Sequence, residues 1–549
     1  MPMQAPQPSS LESILILEPV LGLDVSHPSV NDKPGSTPYS INYIIRDGGL
    51  EPRPMLSYKS SNVVPIDITL GGAEIVDVTA NRYPVVSGST QVAWFSTGSW
   101  SGLSYIVSQL SVYSGGVNQP PAGGTLAYYD FCQIYDPPSN QNMAVFGNGS
   151  AQSLFCWQSG TTVFSTLTGA PGAKFVTAFN DFLVAGNVVG GLVQRVQWSD
   201  RGSNSSWTGG LSGFADLLDM RGQIQRIATQ ETRLVIFSEY EVWEGLPAAF
   251  PYVFTFDPID RSVGCPYSWT VSNTPIGQIF LSSDYNVYLI SKWGGPARSV
   301  GDTVQKYIRE NLNHPERAWA TYDRTYNQYQ LYFPTQGGSG YPQQALFLNV
   351  GKVQYSPLIT QIGDGAWALQ QFDPVGGRLS LTRGFEAQLA STGTTWSTLS
   401  TTMITWANLA MSWAALGGVS ELRATHVGSS AGTQYFLNST ATSDQGIACR
   451  SIWRSSALFG FEPNRQKTMN RIRIDYQTGS ASTLSLEASR NQGASFDPAI
   501  SMALPANSQL SEAVAHFYTA ARYPMFQISS EAQRYRIYRF WMNVRAGGR

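Results

Sequence analysis

Phe175-Val-Thr-Ala-Phe-Asn180-Asp181-Phe-Leu-Val-Ala185 sets two short apolar runs on either side of two turn-forming residues. β-Branched and aromatic side chains fit a pleated surface, and Asn and Asp tolerate the left-handed backbone of a tight hairpin. The stretch predicts an antiparallel strand pair, Phe175–Phe179 with Phe182–Ala185. The same signature runs onward through Val193–Trp198, Arg233–Phe237, Tyr240–Trp243, Gln278–Leu281, Asn286–Ile290, Tyr329–Phe333, Ala345–Asn349 and Arg378–Thr382. Polar turns recur between the runs, at Ser283-Asp284 and Asn327-Gln328. Gly301–Asn311 is the one helix this stretch predicts.

Antiparallel meanders repeated every roughly 25–50 residues point to propeller blades, which arrange short sheets radially and leave few exposed edges. A large β-sandwich is the competing architecture. After Gly460 the pattern becomes alternation, as in Met469-Asn-Arg-Ile472-Arg-Ile474-Asp-Tyr476 and Leu484-Ser-Leu486-Glu-Ala488. Alternation of this kind marks half-buried antiparallel strands. The expected fold is therefore all-β: a β-propeller-like domain of antiparallel blades followed by a small C-terminal β-sandwich. The expected division is an N-terminal arm with the first strands over 1–65, the propeller-like domain over 66–385, a segment over 386–454, and the sandwich over 455–549.

The segment contains 34 consecutive residues, 387–420, without a charge. Within it a small repeat reads Thr395-Trp396-x-x-Leu399, Thr405-Trp406-x-x-Leu409 and Ser412-Trp413-x-x-Leu416. Twelve of the 34 are Ser or Thr and three are Gly, which is too polar for a membrane-spanning helix. Trp396, Trp406 and Trp413 are the candidate interface residues, packed on a neighbouring unit or subunit. Membrane contact is not expected, and a distal tip touching a host envelope is the minority reading.

Composition narrows the function classes. Only 13% of the 549 residues are charged, against about 25% in an ordinary soluble domain. Aromatics are plentiful, with 15 Trp, 27 Tyr and 25 Phe. Interface cores are depleted in charge and enriched in aromatics, so a surface this sparse in charge suits burial by neighbouring subunits. The net charge of −2 excludes a basic footprint gripping phosphates. Cys132, Cys156, Cys265 and Cys449 are too widely spaced for a zinc motif or a dense disulfide framework. No secretory signal is read at the start, where Glu12 interrupts the apolar run.

Catalytic constellations are equally sparse. His27, His314, His426 and His516 are isolated, with no metal-ligand spacing, and no cofactor is expected. Gly98-Ser-Trp-Ser-Gly102 has the wrong register for a nucleophile elbow. Ser489-Arg-Asn491-Gln-Gly493-Ala-Ser495-Phe496 approaches an Asp-box, a hairpin turn without a catalytic group. Glu239-Tyr240-Glu241-Val-Trp243-Glu244 offers two carboxylates that would share one face of an alternating strand, the acid–base pairing of a glycosidase. The plainer reading is that they are solvated charges guarding a strand edge. The chain is read as a non-enzyme.

Several of these stretches, in order, are similar to one family. Gly22-Leu23-Asp24, Ser40-Ile-Asn42-Tyr43 and Asp47-Gly48-Gly49-Leu50-Glu-Pro-Arg53-Pro54 resemble the opening of phage tail proteins, which leads into a propeller. Gln197-Trp198-Ser199-Asp200 with Trp207 resembles their blade motif, and Arg233–Phe237, Val242-Trp243-Glu-Gly245 and Ser262-Val-Gly264-Cys265 continue the order. Gln278–Ser282, Asn286-Val-Tyr288, Tyr322-Asp323 and Asn327-x-Tyr329-x-Leu331 complete it. Together they resemble the packaged-DNA stabilisation, or tail nozzle, proteins of short-tailed bacteriophages. Tyr355-Ser356 departs from that family's Trp-Ser pair, leaving the last blade's boundary open.

The resemblance implies a structural virion protein, made in the host bacterial cytoplasm and located in the tail. Its expected partners are itself in a homohexamer, the adaptor and portal ring above, and a tail needle, tailspike or fibre. Packaged DNA would pass without sequence-specific binding. It implies no active site. Another tail role, as hub or receptor-binding protein, is the alternative, and a carbohydrate-active propeller enzyme a more distant one.

Overall fold

The computed structural model describes residues 12–546 except 27, 29–32, 34, 59–70, 77–81, 88–91, 97–105, 110–128, 148, 150–152, 159–164, 250, 339, 354–364, 373–380, 389–422, 431–433, 458–464 and 532. Ala173–Phe179 and Phe182–Val188 form the expected hairpin, with Phe179 opposite Phe182. Asn180 and Asp181 both take positive φ, 49° and 64°, the paired left-handed turn that matches strand twist. Leu192–Trp198 and Gly213–Asp216 add a third and fourth strand, giving one four-stranded antiparallel sheet.

Among the described residues this unit occurs seven times. Blade 1 comprises Gly71–Val76, Arg82–Ser87, Val92–Ser96 and Ile106–Gln109. Blade 2 begins at Asp130–Asp136, blade 3 at Ala173–Phe179, blade 4 at Ile224–Gln230, blade 5 at Ser272–Thr274 and blade 6 at Trp319–Asp323. Blade 7 takes Leu381–Gln388, Arg423–Ser429 and Gln434–Asn438, and its outermost strand is Met55–Tyr58 from the other end of the chain. The first strands of successive blades pack in a ring, with Leu381–Gln388 lying against Gly71–Val76. Ser268–Thr270 bridges blades 4 and 6 at the start of blade 5. The result is a closed seven-bladed propeller. Leu381–Gln388 runs through the expected boundary at 386, and the blade continues to Asn438.

Burial between blades supplies the core. Phe175, Ile227, Leu234, Ile236, Trp243, Trp319, Tyr332 and Phe347 belong to one buried apolar cluster. Gly186 lets blades 3 and 4 pack closely at their seam, where a Cβ would come within 2.1 Å of the end of the Ile227 side chain. The helix is shorter than expected, Gln305–Asn311, and Gly301–Val304 forms a turn ahead of it.

The alternating C-terminal strands form the second unit. One sheet runs Asn507–Ala521, Lys467–Thr478, Arg536–Ala546, Gly49–Pro52 and Tyr43–Arg46, with Glu12–Leu17 also on Arg536–Ala546. The facing layer runs Ser40–Ile41, Arg450–Arg454, Met525–Glu531, Ser482–Ser489 and Ile500–Leu504. Trp453, Ile474, Leu486, Phe526, Phe540 and Met542 fill the space between them. Trp453 stacks on Phe540 at 5.2 Å between centroids. N-terminal strands are thus built into the sandwich expected over 455–549. Ser40–Ile41 also pairs with Ala366–Gln371 of blade 6, so a single nine-stranded sheet joins blade and sandwich.

Candidate functional site

Three places concentrate polar and charged side chains: the junction of propeller and sandwich, the inner strands of the propeller, and the acidic turn of blade 4. At the junction Arg53 has no exposed surface. Its guanidinium donates to Asp444 at both oxygens, Oδ1 at 3.1 Å, and to the Gln371 carbonyl at 3.0 Å. Its Nε donates to Asn42 Oδ1 at 3.1 Å, and the group lies 4.3 Å from the Phe372 ring centroid. Burial opposes the charge on Arg53, but the fully buried Asp444 more than offsets this and holds the guanidinium protonated.

Asp444 Oδ1 also accepts from the amide of Leu56, in the strand that closes blade 7. Asn42, at φ 61°, accepts from the Gln371 amide at 2.8 Å and donates to the Arg450 carbonyl at 2.9 Å. Blade 6, blade 7 and the sandwich therefore meet on Asn42, Arg53 and Asp444. The segment Asn42 to Arg53, singled out in the sequence, acts as an architectural clamp. Asp444 carried no local signal, because its partner lies 391 residues away.

Side chains of the inner strands link the blades to one another. Arg226 of blade 4 pairs with the buried Asp130 of blade 2, whose other oxygen accepts from the Val176 amide of blade 3 at 3.0 Å. Trp269, at the start of blade 5, has the Arg226 guanidinium 5.2 Å and the Arg383 guanidinium of blade 7 3.8 Å from its ring centroid. Arg383 also donates to the Tyr129 carbonyl beside blade 2 at 2.7 Å. Contacts between blades 2 and 4, and between 5 and 7, each skip one blade of the ring.

The acidic group of blade 4 differs from its expected geometry. Glu239 and Tyr240 lie in the turn between Arg233–Ser238 and Val242–Pro247, so no alternating strand presents the two carboxylates on one face. Glu241 is buried; it pairs with Arg221 at 2.5 Å and accepts from Trp243 Nε1 at 2.9 Å. Burial raises its pKa, yet the bonds from Arg221 and Trp243 outweigh that and hold it below the usual carboxylate range. Glu239 accepts from the Gln223 and Gln225 amides, and Glu244 pairs with Arg233 at 2.8 Å. Fixed, ionised and partnered, Glu241 is unsuited to giving up or taking a proton. The backbone of Gly264-Cys265 crosses behind this turn, where a Cβ on Gly264 would sit 2.3 Å from the Tyr240 nitrogen.

The remaining candidates are structural or lie elsewhere. Ser489-x-Asn491-x-Gly493 forms its turn through the Gly493 amide on Ser489 Oγ at 2.8 Å and the Ser495 amide on Asn491 Oδ1 at 2.9 Å. In the Trp198-Ser-Asp200 motif, Trp198 Nε1 donates to the Leu211 carbonyl, and Asp200 accepts from the Leu211 amide. His426 is buried against Phe385, His314 pairs with Glu316, and His516 is exposed on the sandwich. The four cysteines are free thiols. Among the described residues no three His, Cys, Asp or Glu side chains gather as metal ligands, and no helix is long and apolar enough to cross a membrane. Trp396, Trp406, Trp413 and Tyr355-Ser356 lie outside the described residues.

Comparison with known proteins adds little to this geometry. No known family matches the sequence, and no curated protein matches it. Among solved structures, the extracellular domain of a one-component system of B. thetaiotaomicron aligns at 8% identity and TM-score 0.37, over 69% of this chain and 39% of that one. The Pan2 WD40 domain of Neurospora crassa aligns at 6% identity and TM-score 0.36, over 70% of this chain and 95% of that one. The Nup170 N-terminal domain of Chaetomium thermophilum, solved with Nup53, gives 7% and 0.34, over 71% and 64%. The propeller rests on its own strand pairing.

Proposed function

We propose that the chain is a structural subunit of a short-tailed phage's tail nozzle, forming a ring below the portal and adaptor that closes and guides the DNA exit channel. One observation carries the reading: the sequence features that resemble that family are its architectural joints. Asn42 and Arg53 clamp blade to sandwich, Trp198-Ser-Asp200 braces blade 3, and Gly264-Cys265 threads behind blade 4. The sparse charge suits a surface covered by identical neighbours.

The links between blades refine the proposal. A duplex broad enough to carry a ~12 Å major groove does not pass where Arg226, Trp269 and Arg383 meet. Any conduit runs between subunits, as in a ring with one shared axis. Electron microscopy of the purified protein, with and without its adaptor, tests this. Six-fold rings seated on the adaptor are expected; particles that stay single with adaptor present, or that cleave glycans, would overturn it.

A further inference from the structure

We propose that Asn507–Ala521 pairs with the same strand of a second copy, antiparallel about a two-fold axis at Val514. The strand spans 15 residues and ends its sheet, bonded on one side to Lys467–Thr478. Ile500–Leu504, joined to it through Pro505 and Ala506, ends the facing sheet beside it, so among the described residues both layers stop on this side. Natural edge strands are usually blunted by Lys, Pro, bulges or a covering element; here the register shifts outside Ser511–His516, and that central stretch pairs regularly with Arg471–Tyr476. Asn507–Ala521 contains no Pro, Lys or Arg, and Glu512 is its one carboxylate.

The outer face of this strand is self-complementary. Leu510, Val514 and Tyr518 are 64%, 40% and 68% exposed, with Glu512 and His516 exposed between them. A two-fold axis at Val514 sets Leu510 against the second copy's Tyr518, Glu512 against its His516, and Val514 against Val514. Glu512 meets an imidazole that can donate to it twice, and each apolar side chain meets another. Glu512 keeps its own Arg473 at 3.5 Å in reach. A polar ring has every copy facing one way, so this two-fold contact belongs to the protein before assembly, whatever it then assembles into.

Sedimentation velocity of the full chain over a concentration series tests the contact. Dimers are expected; Glu512→Lys weakens association at least roughly tenfold, and Glu512→Lys with His516→Glu restores it. Val514→Cys oxidises to a disulfide-linked dimer, whereas Tyr518→Cys, facing Leu510, does not. Circular dichroism melts shared by all variants show that the fold is kept. Monomers at every concentration, no rescue by the double exchange, or oligomers indifferent to Glu512→Lys overturn the proposal.

Discussion

Asp323 shows how one buried group sets a pH dependence. It ends the first strand of blade 6 fully buried, accepts from the Tyr326 amide at 3.1 Å, and lies 3.1 Å from Thr425 Oγ1 of blade 7. Arg324 and Arg423 pair with Glu386 instead. Burial therefore dominates and pushes the Asp323 carboxyl up to about 6. The folded chain holds this proton to a higher pH than the unfolded chain, whose carboxyl titrates near ~3.9. This group's contribution to stability therefore grows as pH falls from above 6 toward 4. Asp323→Asn, which keeps an acceptor and adds a donor, should stabilise the protein at pH 7 by on the order of 2 kcal/mol and flatten that slope. Denaturant titrations at pH 5 and pH 7 measure both effects. Arg53 is the opposite case, a buried charge fully matched. Arg53→Met alone strands Asp444 and should cost about 3–5 kcal/mol, while Arg53→Met with Asp444→Leu should recover part of the loss. Equilibrium unfolding of the three variants checks it.

At the scale of strands, the hairpins were legible and the closures were not. Phe175–Ala185 announced itself because both strands and the turn lie within eleven residues, and the turn takes the predicted left-handed geometry. Met55–Tyr58 gave no such signal: it has four residues, and its partner strand, Gln434–Asn438, lies far along the chain. Asn507–Ala521 was missed for another reason, since its Ser, Gln and Ala residues lack the β-branched bias that marks a strand. Tyr240 was placed in a strand because Val242-Trp243 follows it, yet the chain turns first, at Glu239. Met469–Tyr476 is a strand as expected, but its alternation is interrupted: Asn470 and Arg471 are both exposed where the register shifts, and Asp475 is buried beside Ile474 and Tyr476. The clamp was half legible: Arg53 stood out, while Asp444 required the fold to bring it near. Leu56→Pro tests the closure. It removes the amide that Asp444 accepts from and should raise hydrogen exchange in Gln434–Asn438 on the order of tenfold, leaving blades 3 and 4 unchanged. Uniform exchange across all blades would contradict a local closure.

At the scale of the molecule, one chain starts in the sandwich, closes the propeller, circles seven blades and returns to the sandwich. Two closures, Met55–Tyr58 in blade 7 and Glu12–Leu17 on Arg536–Ala546, tie its beginning to distant parts of the same chain. A unit braced in this way suits the structural role proposed, in which any passage lies between copies. The most direct measurement is a cryo-electron microscopy map of the virion tail with DNA retained. Six copies around one axial channel are expected, with duplex density in that channel and side-chain density at Trp269 within each propeller. Duplex density within a propeller, or this chain absent from the tail, would contradict the proposal.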